Sequence, residues 1–229
     1  LERHGVSVIP WDRRQIPTDQ PALADDFIGH HQPDWFVHLA TGDPAWAQSV
    51  AGVCRTRGVR FLFTSSVSVF NGGVSGPFSL EHPTDATDDY GRYKAECEHR
   101  VRGAHPDALI VRLGWQIGHS AGSNNMVDFL CQTMAEKGQI EASERWLPSC
   151  SFLEDTAAAL HSLMLEHPPG LYQLEGNPGL SFHTIVTNLN RLGGHNWTVV
   201  PVDHPDRDIR MLDDRVKVAP ISARLNVDS

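Results

Sequence analysis

The sequence predicts an α/β fold: a doubly wound, mostly parallel sheet followed by a smaller C-terminal α/β lobe. Three observations predict it. From residue 22 to residue 114, strand-sized apolar runs alternate with segments of helical periodicity. Pro33, Gly58 and Pro106 mark passages from helix to strand, where the chain must turn. With 229 residues, 40% hydrophobic and 21% charged, the composition is that of a globular domain, not of a disordered, collagenous or coiled-coil chain.

Taken in order, LERHG reads as the last turn of a helix closed by Gly5, and VSVIP (6–10) as a short strand bounded by Pro10. WDRRQIPTDQ is polar and turn-rich. ALADDFIGHH (22–31) spaces its apolar residues helically, and WFVHLA (35–40) is a buried strand. A helix over 44–58 ends at Gly58 and yields to VRFLFTSS, a strand that ends in hydroxyls. After a Gly, Pro and Ser-rich loop (71–89), a helix around YGRYKAECEHRVRGA precedes the strand ALIVRLG. Helices between strands imply a sheet covered on both faces. Beyond residue 119 the order loosens: a helix (126–137), a polar strand region, a helix (155–166), GLYQLEG, another helix, and a Pro and Asp-rich tail. The expected division is 1–118 for the sheet portion and 119–229 for the smaller lobe, interleaved with the last strands.

Composition excludes several functions. Lys plus Arg number 19 against 28 Asp plus Glu, a net charge of −9, which argues against affinity drawn from nucleic-acid phosphates. The apolar runs VRFLF (59–63) and DALIVRLGW (107–115) fall short of the roughly 20 residues of a membrane span. Cys54, Cys97, Cys131 and Cys150 form no CxxC pair, and no signal-peptide pattern opens the chain, so a reducing cytoplasm is expected. Among 13 histidines, His30 and His31 are adjacent, but no HExxH occurs and no metal is expected. GNPG (176–179) lacks a following GK[ST] and reads as a turn.

Two features carry chemistry. Tyr90 and Lys94 stand four residues apart in DDYGRYKAE, on one helix face. A phenol titrates near about 10, and a fixed ammonium beside it would stabilise the phenolate and bring that value toward neutrality. The pair also suits an ordinary helix surface. In TSSVSVF (64–70), Ser65 and Ser66 fall at the carboxyl end of a parallel strand, where open α/β sheets hold their ligands. A hydroxyl there can hold a substrate oxygen while a neighbour transfers a proton, or can simply satisfy turn backbone.

Together, a strand ending SSVSVF, YGRYK on a helix with Tyr90 lying 24 residues after Ser66, and the strand ALIVRLGW resemble the extended short-chain dehydrogenase/reductase family. VRFLFTSSVSVFNG, YGRYKAECE, LIVRLGWQIG and FLEDTAAAL are most similar to its dTDP-4-dehydrorhamnose reductase branch and to other sugar-nucleotide reductases and epimerases. The resemblance implies a Rossmann-like sheet, NADP or NAD as cofactor and a nucleotide-sugar substrate. It implies Ser66, Tyr90 and Lys94 as catalytic residues: Tyr90 the proton donor, Ser66 the holder of the alkoxide, Lys94 the group that lowers the phenol's pKa and binds ribose, with Tyr90 as well as Lys94 in contact with the cofactor. Tyr93 does not compete, since position 97 is Cys. Asp12 would meet the adenosine ribose, while Arg13 and Arg14 would accept a 2′-phosphate. Ala40 and Thr41 in HLAT would line the cofactor crevice. Ser66, Ser68, Trp115 and Asn125 would face the substrate, Trp115 matching a tryptophan that the branch places near the sugar. A homodimer is compatible with the resemblance.

The departures matter as well. The family opens with a strand and a glycine-rich turn that cradles pyrophosphate at a helix N-terminus. Neither precedes Pro10: either about 20 residues are missing upstream, which the opening Leu1 favours, or the chain is a naturally shortened member that no longer binds dinucleotide normally. Ser68 stands where the branch commonly has an aromatic residue. A dehydratase would want an acid beside the catalytic Ser/Thr, which Val67 does not supply. The remaining alternatives are an epimerase of the same family, or a non-catalytic binding subunit like the related methionine adenosyltransferase regulatory subunit.

Overall fold

In a computed structural model, which describes residues 5–73, 75–119 and 124–227, the chain divides into two units. The first comprises Leu1–Gly72, Pro83–Arg112 and Leu160–Tyr172, the second Gly73–His82, Leu113–Ala159 and Gln173–Ser229. The two units exchange segments of chain. The chain leaves the first unit at Arg112 and returns at Leu160, inside a helix.

The first unit opens with α1 (Pro21–His31), where Pro21 sits at the helix start that tolerates its missing N–H. β1 (Trp35–His38) follows, then α2 (Pro44–Thr56), capped by Asp43, whose carboxylate accepts the Ala45 N–H at 2.8 Å. Trp46, Ala47, Val50, Ala51 and Cys54 form its buried face at helical spacing. β2 (Arg60–Ser66) is buried from Phe61 onward, as suits a strand with neighbours on both sides and cover on both faces. α3 (Asp89–Ala104) is capped by Asp88, which accepts the Gly91 N–H at 2.9 Å. β3 (Leu109–Leu113) is tied to α3 by a buried bidentate pair, with Arg112 donating to both Glu98 oxygens at 2.8 Å.

The second unit begins with β4 (Trp115–Ile117) and α4 (Met126–Lys137), which Gly138 ends at φ 70°. β5 (Ile140–Ser143), β6 (Trp146–Leu147) and β7 (Cys150–Phe152) come next, before α5 (Leu153–Glu166) passes into the first unit. β8 (Gly170–Leu174) completes the sheet, whose order is β1-β2-β3-β8. β1 and β2 run parallel, from Trp35 opposite Arg60 to His38 opposite Phe63. α6 (Phe182–Gly193), β9 (Val199–Val202), β10 (Arg207–Asp208) and α7 (Ile221–Leu225) belong to the second unit, with β4 parallel to β7, β5 to β9 and β6 to β10. Each unit has its own core, around Val50, Phe61, Phe63, Val101 and Ile110 in the first and Met126, Leu130, Ile140, Ile185 and Ile221 in the second.

Two expectations need correction. Residues 6–10 are not a strand: no described strand lies beside them, so their backbone groups have no ladder to join, and Val8 and Ile9 are exposed. The C-terminal region is not a tail, because β9, β10 and α7 build the second unit's small sheets and core. The helix end expected in LERHG falls mostly on residues 1–4, outside the described residues; Gly5 has the positive φ expected of a helix stop.

Candidate active site

β2 ends in three buried hydroxyls, Thr64, Ser65 and Ser66. Ser66 turns the chain into a short 3-10 helix, Val67–Phe70: its Oγ accepts the Ser68 N–H and donates to Ser68 Oγ, both at 3.1 Å. α3 starts close by, and Gly91 is what allows it. A Cβ there would collide with the Ser68 carbonyl and with Ala86. The first turn of α3 therefore carries Tyr90 up to the end of β2, half-exposed, near enough to Ser66 for that side chain to act on its pKa.

One turn on, Lys94 is 3% exposed. Its ammonium donates to the Thr64 carbonyl at 2.8 Å and lies 4.9 Å from the Phe63 ring centroid and 5.9 Å from that of Tyr90. An ammonium has three donors, and Thr64 is the one acceptor it meets among the described residues. Burial lowers the Lys94 pKa, against the upward pull of Cys97 and Glu98.

The expected lowering of the Tyr90 pKa is not found. Burial raises it, Ser66 lowers it less, and the charge of Asp88 raises it further. Lys94 sits beside the ring and is hydrogen-bonded to Thr64, so its charge does not offset the loss of water around the phenol.

Ala40 and Thr41 follow the carboxyl end of β1, the strand parallel to β2, and so share the sheet edge of Ser66. Ala40 packs partly on the core, while Thr41 is exposed, its carbonyl accepting Arg13 Nη2 at 2.6 Å. The Arg13 guanidinium also lies 4.8 Å from the Trp46 ring centroid. Asp12 is held by Arg14, which donates through Nε at 3.1 Å and Nη2 at 3.0 Å and lowers the carboxyl's pKa.

Ser66, Ser68, Tyr90 and Lys94 thus form one group in the first unit, and Asp12, Arg13 and Thr41 another, whereas Trp115 and Asn125 belong to the second unit. Trp115 is half-buried in an aromatic cluster, edge-on to Phe129 at 5.2 Å and stacked on Phe182 at 6.0 Å. Asn125, expected at the substrate, caps α4: its Oδ1 accepts the N–H groups of Val127 at 2.9 Å and Asp128 at 3.2 Å.

Two residues of this region escape sequence reasoning. His38 is 2% exposed among Trp46, Phe61 and Phe63, with no hydrogen-bond partner for either ring nitrogen among the described residues. Burial, then the charges of Lys94 and Arg13, push its pKa down to about 4. A histidine inside the apolar run WFVHLA was the available signal. Tyr93 is the other; its place three residues after Tyr90 puts it on the same side of α3. Among the described residues no group of three or more His, Cys, Asp or Glu could hold a metal, and no helix is long and apolar enough to cross a membrane.

The fold defines the class, a Rossmann-like α/β architecture built on a parallel sheet. A family model described as the RmlD substrate binding domain matches residues 1–205, and the chain belongs to that family. Spore coat polysaccharide biosynthesis protein SpsK of Bacillus subtilis is 26% identical over 219 residues, 88% of this chain and 76% of that protein. dTDP-4-dehydrorhamnose reductase of Mycobacterium tuberculosis is 31% identical over 121 residues, 51% of this chain but only 39% of that protein. The solved dTDP-4-dehydrorhamnose reductase of Bacillus anthracis, in complex with NADP, superposes with a TM-score of 0.83 at 17% identity, covering 99% of this chain and 90% of that one. Bordetella bronchiseptica WbmG, solved with NAD and UDP, gives 0.67 at 19% identity, covering 97% and 73%.

Proposed function

We propose that this chain reduces the carbonyl of a keto-sugar nucleotide, with NADP or NAD as cofactor and Tyr90 as proton donor. The observation that carries the reading is the grouping of Ser66, Tyr90 and Lys94 at the carboxyl end of β2. The residues present fit a dinucleotide's ribose: the buried Lys94 ammonium has N–H donors that no described residue receives, and a vicinal diol is a suitable acceptor. Residues 1–229 contain no glycine-rich turn ahead of Asp12, and no pyrophosphate contact is assigned to this chain.

A bound nicotinamide supplies a hydride to the carbonyl carbon. Ser66 holds the carbonyl oxygen by turning toward it the one hydroxyl hydrogen that it otherwise donates to Ser68 Oγ. Tyr90, with its pKa raised above the usual 10, is fully protonated at neutral pH and so loaded to give its proton to that oxygen. The phenolate left behind is stabilised by the Lys94 charge beside its ring. Asp12 with Arg14, and Arg13 with Thr41, frame the adenosine end. The names of the relatives, two of them dTDP-4-dehydrorhamnose reductases, support the substrate class.

The test is NADPH and NADH binding by the full-length polypeptide, followed by turnover with dTDP-4-dehydrorhamnose. Binding of a reduced dinucleotide and its oxidation by the keto sugar are expected. A full-length polypeptide that binds neither dinucleotide overturns the reading.

A further inference from the structure

Tyr93 lies between the two halves of the proposed site. Its Oη accepts the Gly42 N–H at 3.0 Å. The ring packs on the first unit's core, with its centroid 6.3 Å from that of Tyr90 and 5.6 Å from the Lys94 ammonium. Burial pushes its pKa up to about 12, which keeps it a neutral phenol at any working pH and no rival to Tyr90.

The segment that Tyr93 grips is the one carrying Ala40 and Thr41. Three consecutive residues there are held by three different elements. Thr41 receives Arg13 from the turn after residue 10, Gly42 donates to Tyr93 on α3, and Asp43 caps α2. Gly42 lies so close to Trp46 that a Cβ would come within 2.7 Å of its ring. Among the described residues the Tyr93–Gly42 contact is the one hydrogen bond joining α3 to this loop. α3 carries Tyr90 and Lys94; the loop carries the residues proposed to line the cofactor crevice.

We infer that Tyr93 is a positioning residue that fixes the cofactor-lining loop after β1 to the helix bearing Tyr90 and Lys94. The inference rests on the reductase reading above. Held this way, the dinucleotide's seat and the proton donor keep one spacing; without the bond no hydrogen bond among the described residues ties the loop to α3, and dinucleotide binding must supply the missing order.

Tyr93→Phe in the full-length polypeptide removes the hydroxyl and keeps the ring. NADPH titration should show affinity weakened about three- to tenfold, the worth of one hydrogen bond. In turnover with dTDP-4-dehydrorhamnose, KM for NADPH should rise by the same factor, while kcat and KM for the sugar stay within about twofold because the reacting groups themselves are intact. A variant whose thermal midpoint falls while its NADPH affinity and KM match the wild type would make Tyr93 merely structural and overturn the inference, with the reductase reading intact. A wild-type protein that binds neither NADPH nor NADH overturns that reading and this inference with it.

Discussion

Lys94 and His38 of the first unit and Asn177 of the second are buried polar groups treated in opposite ways. In the first, Lys94 meets one acceptor among the described residues and His38 meets none, although both are almost fully buried. In the second, Asn177 is saturated: its Nδ2 donates to Pro148 and Leu180 carbonyls at 2.8 Å, and its Oδ1 accepts Gly179 at 3.0 Å and Leu180 at 2.7 Å. Glu175 beside it accepts backbone N–H groups of Cys150 at 3.4 Å, Asn177 at 2.7 Å and Met211 at 2.9 Å, joining three separate stretches of chain. Where the buried groups close on one another, they hold the architecture. Where donors are left without acceptors, local satisfaction has been given up, as at sites arranged for a ligand.

The largest effect that can break this contrast is at Tyr90. Tyr90→Phe should lower kcat about 10²- to 10⁴-fold, the range for loss of a general acid, with NADPH affinity nearly unchanged. Measured turnover close to the wild type would remove Tyr90 from the mechanism and strip the first unit of its distinction.

The next effect is in stability, with opposite signs in the two units. His38 is held neutral, its pKa depressed from 6.5 to about 4, so its contribution is complete above 6.5 and is lost as pH falls toward 4. Glu175 is raised from 4.5 to about 7, because loss of water around the carboxyl outweighs the hydrogen bonds of Asn177, Met211 and Cys150. Its contribution is complete below 4.5 and is lost as pH rises through about 7. Each is worth up to roughly 3 kcal/mol. Denaturant melts between pH 4 and 8 should show Glu175→Gln losing the neutral-side decline and His38→Gln losing part of the acid-side one; variants with wild-type slopes would refute the assignment.

Much of the first unit is legible in the sequence because its helices and strands are local patterns, and YGRYK and SSVSVF put chemistry at positions the strand and helix geometry already implies. Residues 6–10 read as a strand since pattern alone does not say whether a neighbouring strand exists to pair with. The second unit's two- to four-residue strands are too short for periodicity, and their pairing, such as β5 with β9, spans nearly sixty residues of chain in the Ile140–Val199 register. Tyr93 was invisible as a positioning residue because its partner is a backbone N–H, which no side-chain motif encodes. The same limit applied to Tyr90, where the YxxxK spacing gives the neighbour but not the balance of burial against charge.

Smaller effects sharpen the picture in the second unit. Asn177→Ala leaves the Gly179 and Leu180 N–H groups and the Pro148 carbonyl without their partner and should cost about 1–3 kcal/mol in a denaturant melt. Asn125 gives the finest test, because a cap and a substrate contact ask different things of one side chain. Asn125→Ser keeps a capping oxygen for the Val127 and Asp128 N–H groups and should cost only a few tenths of a kcal/mol, while Asn125→Ala should cost about 1 kcal/mol. Neither should move KM for the sugar, since Asn125 is 3% exposed and its oxygen already accepts two hydrogen bonds. A serine variant with wild-type stability but a severalfold higher KM would return Asn125 to the substrate and show that the second unit, too, keeps a polar group for its ligand.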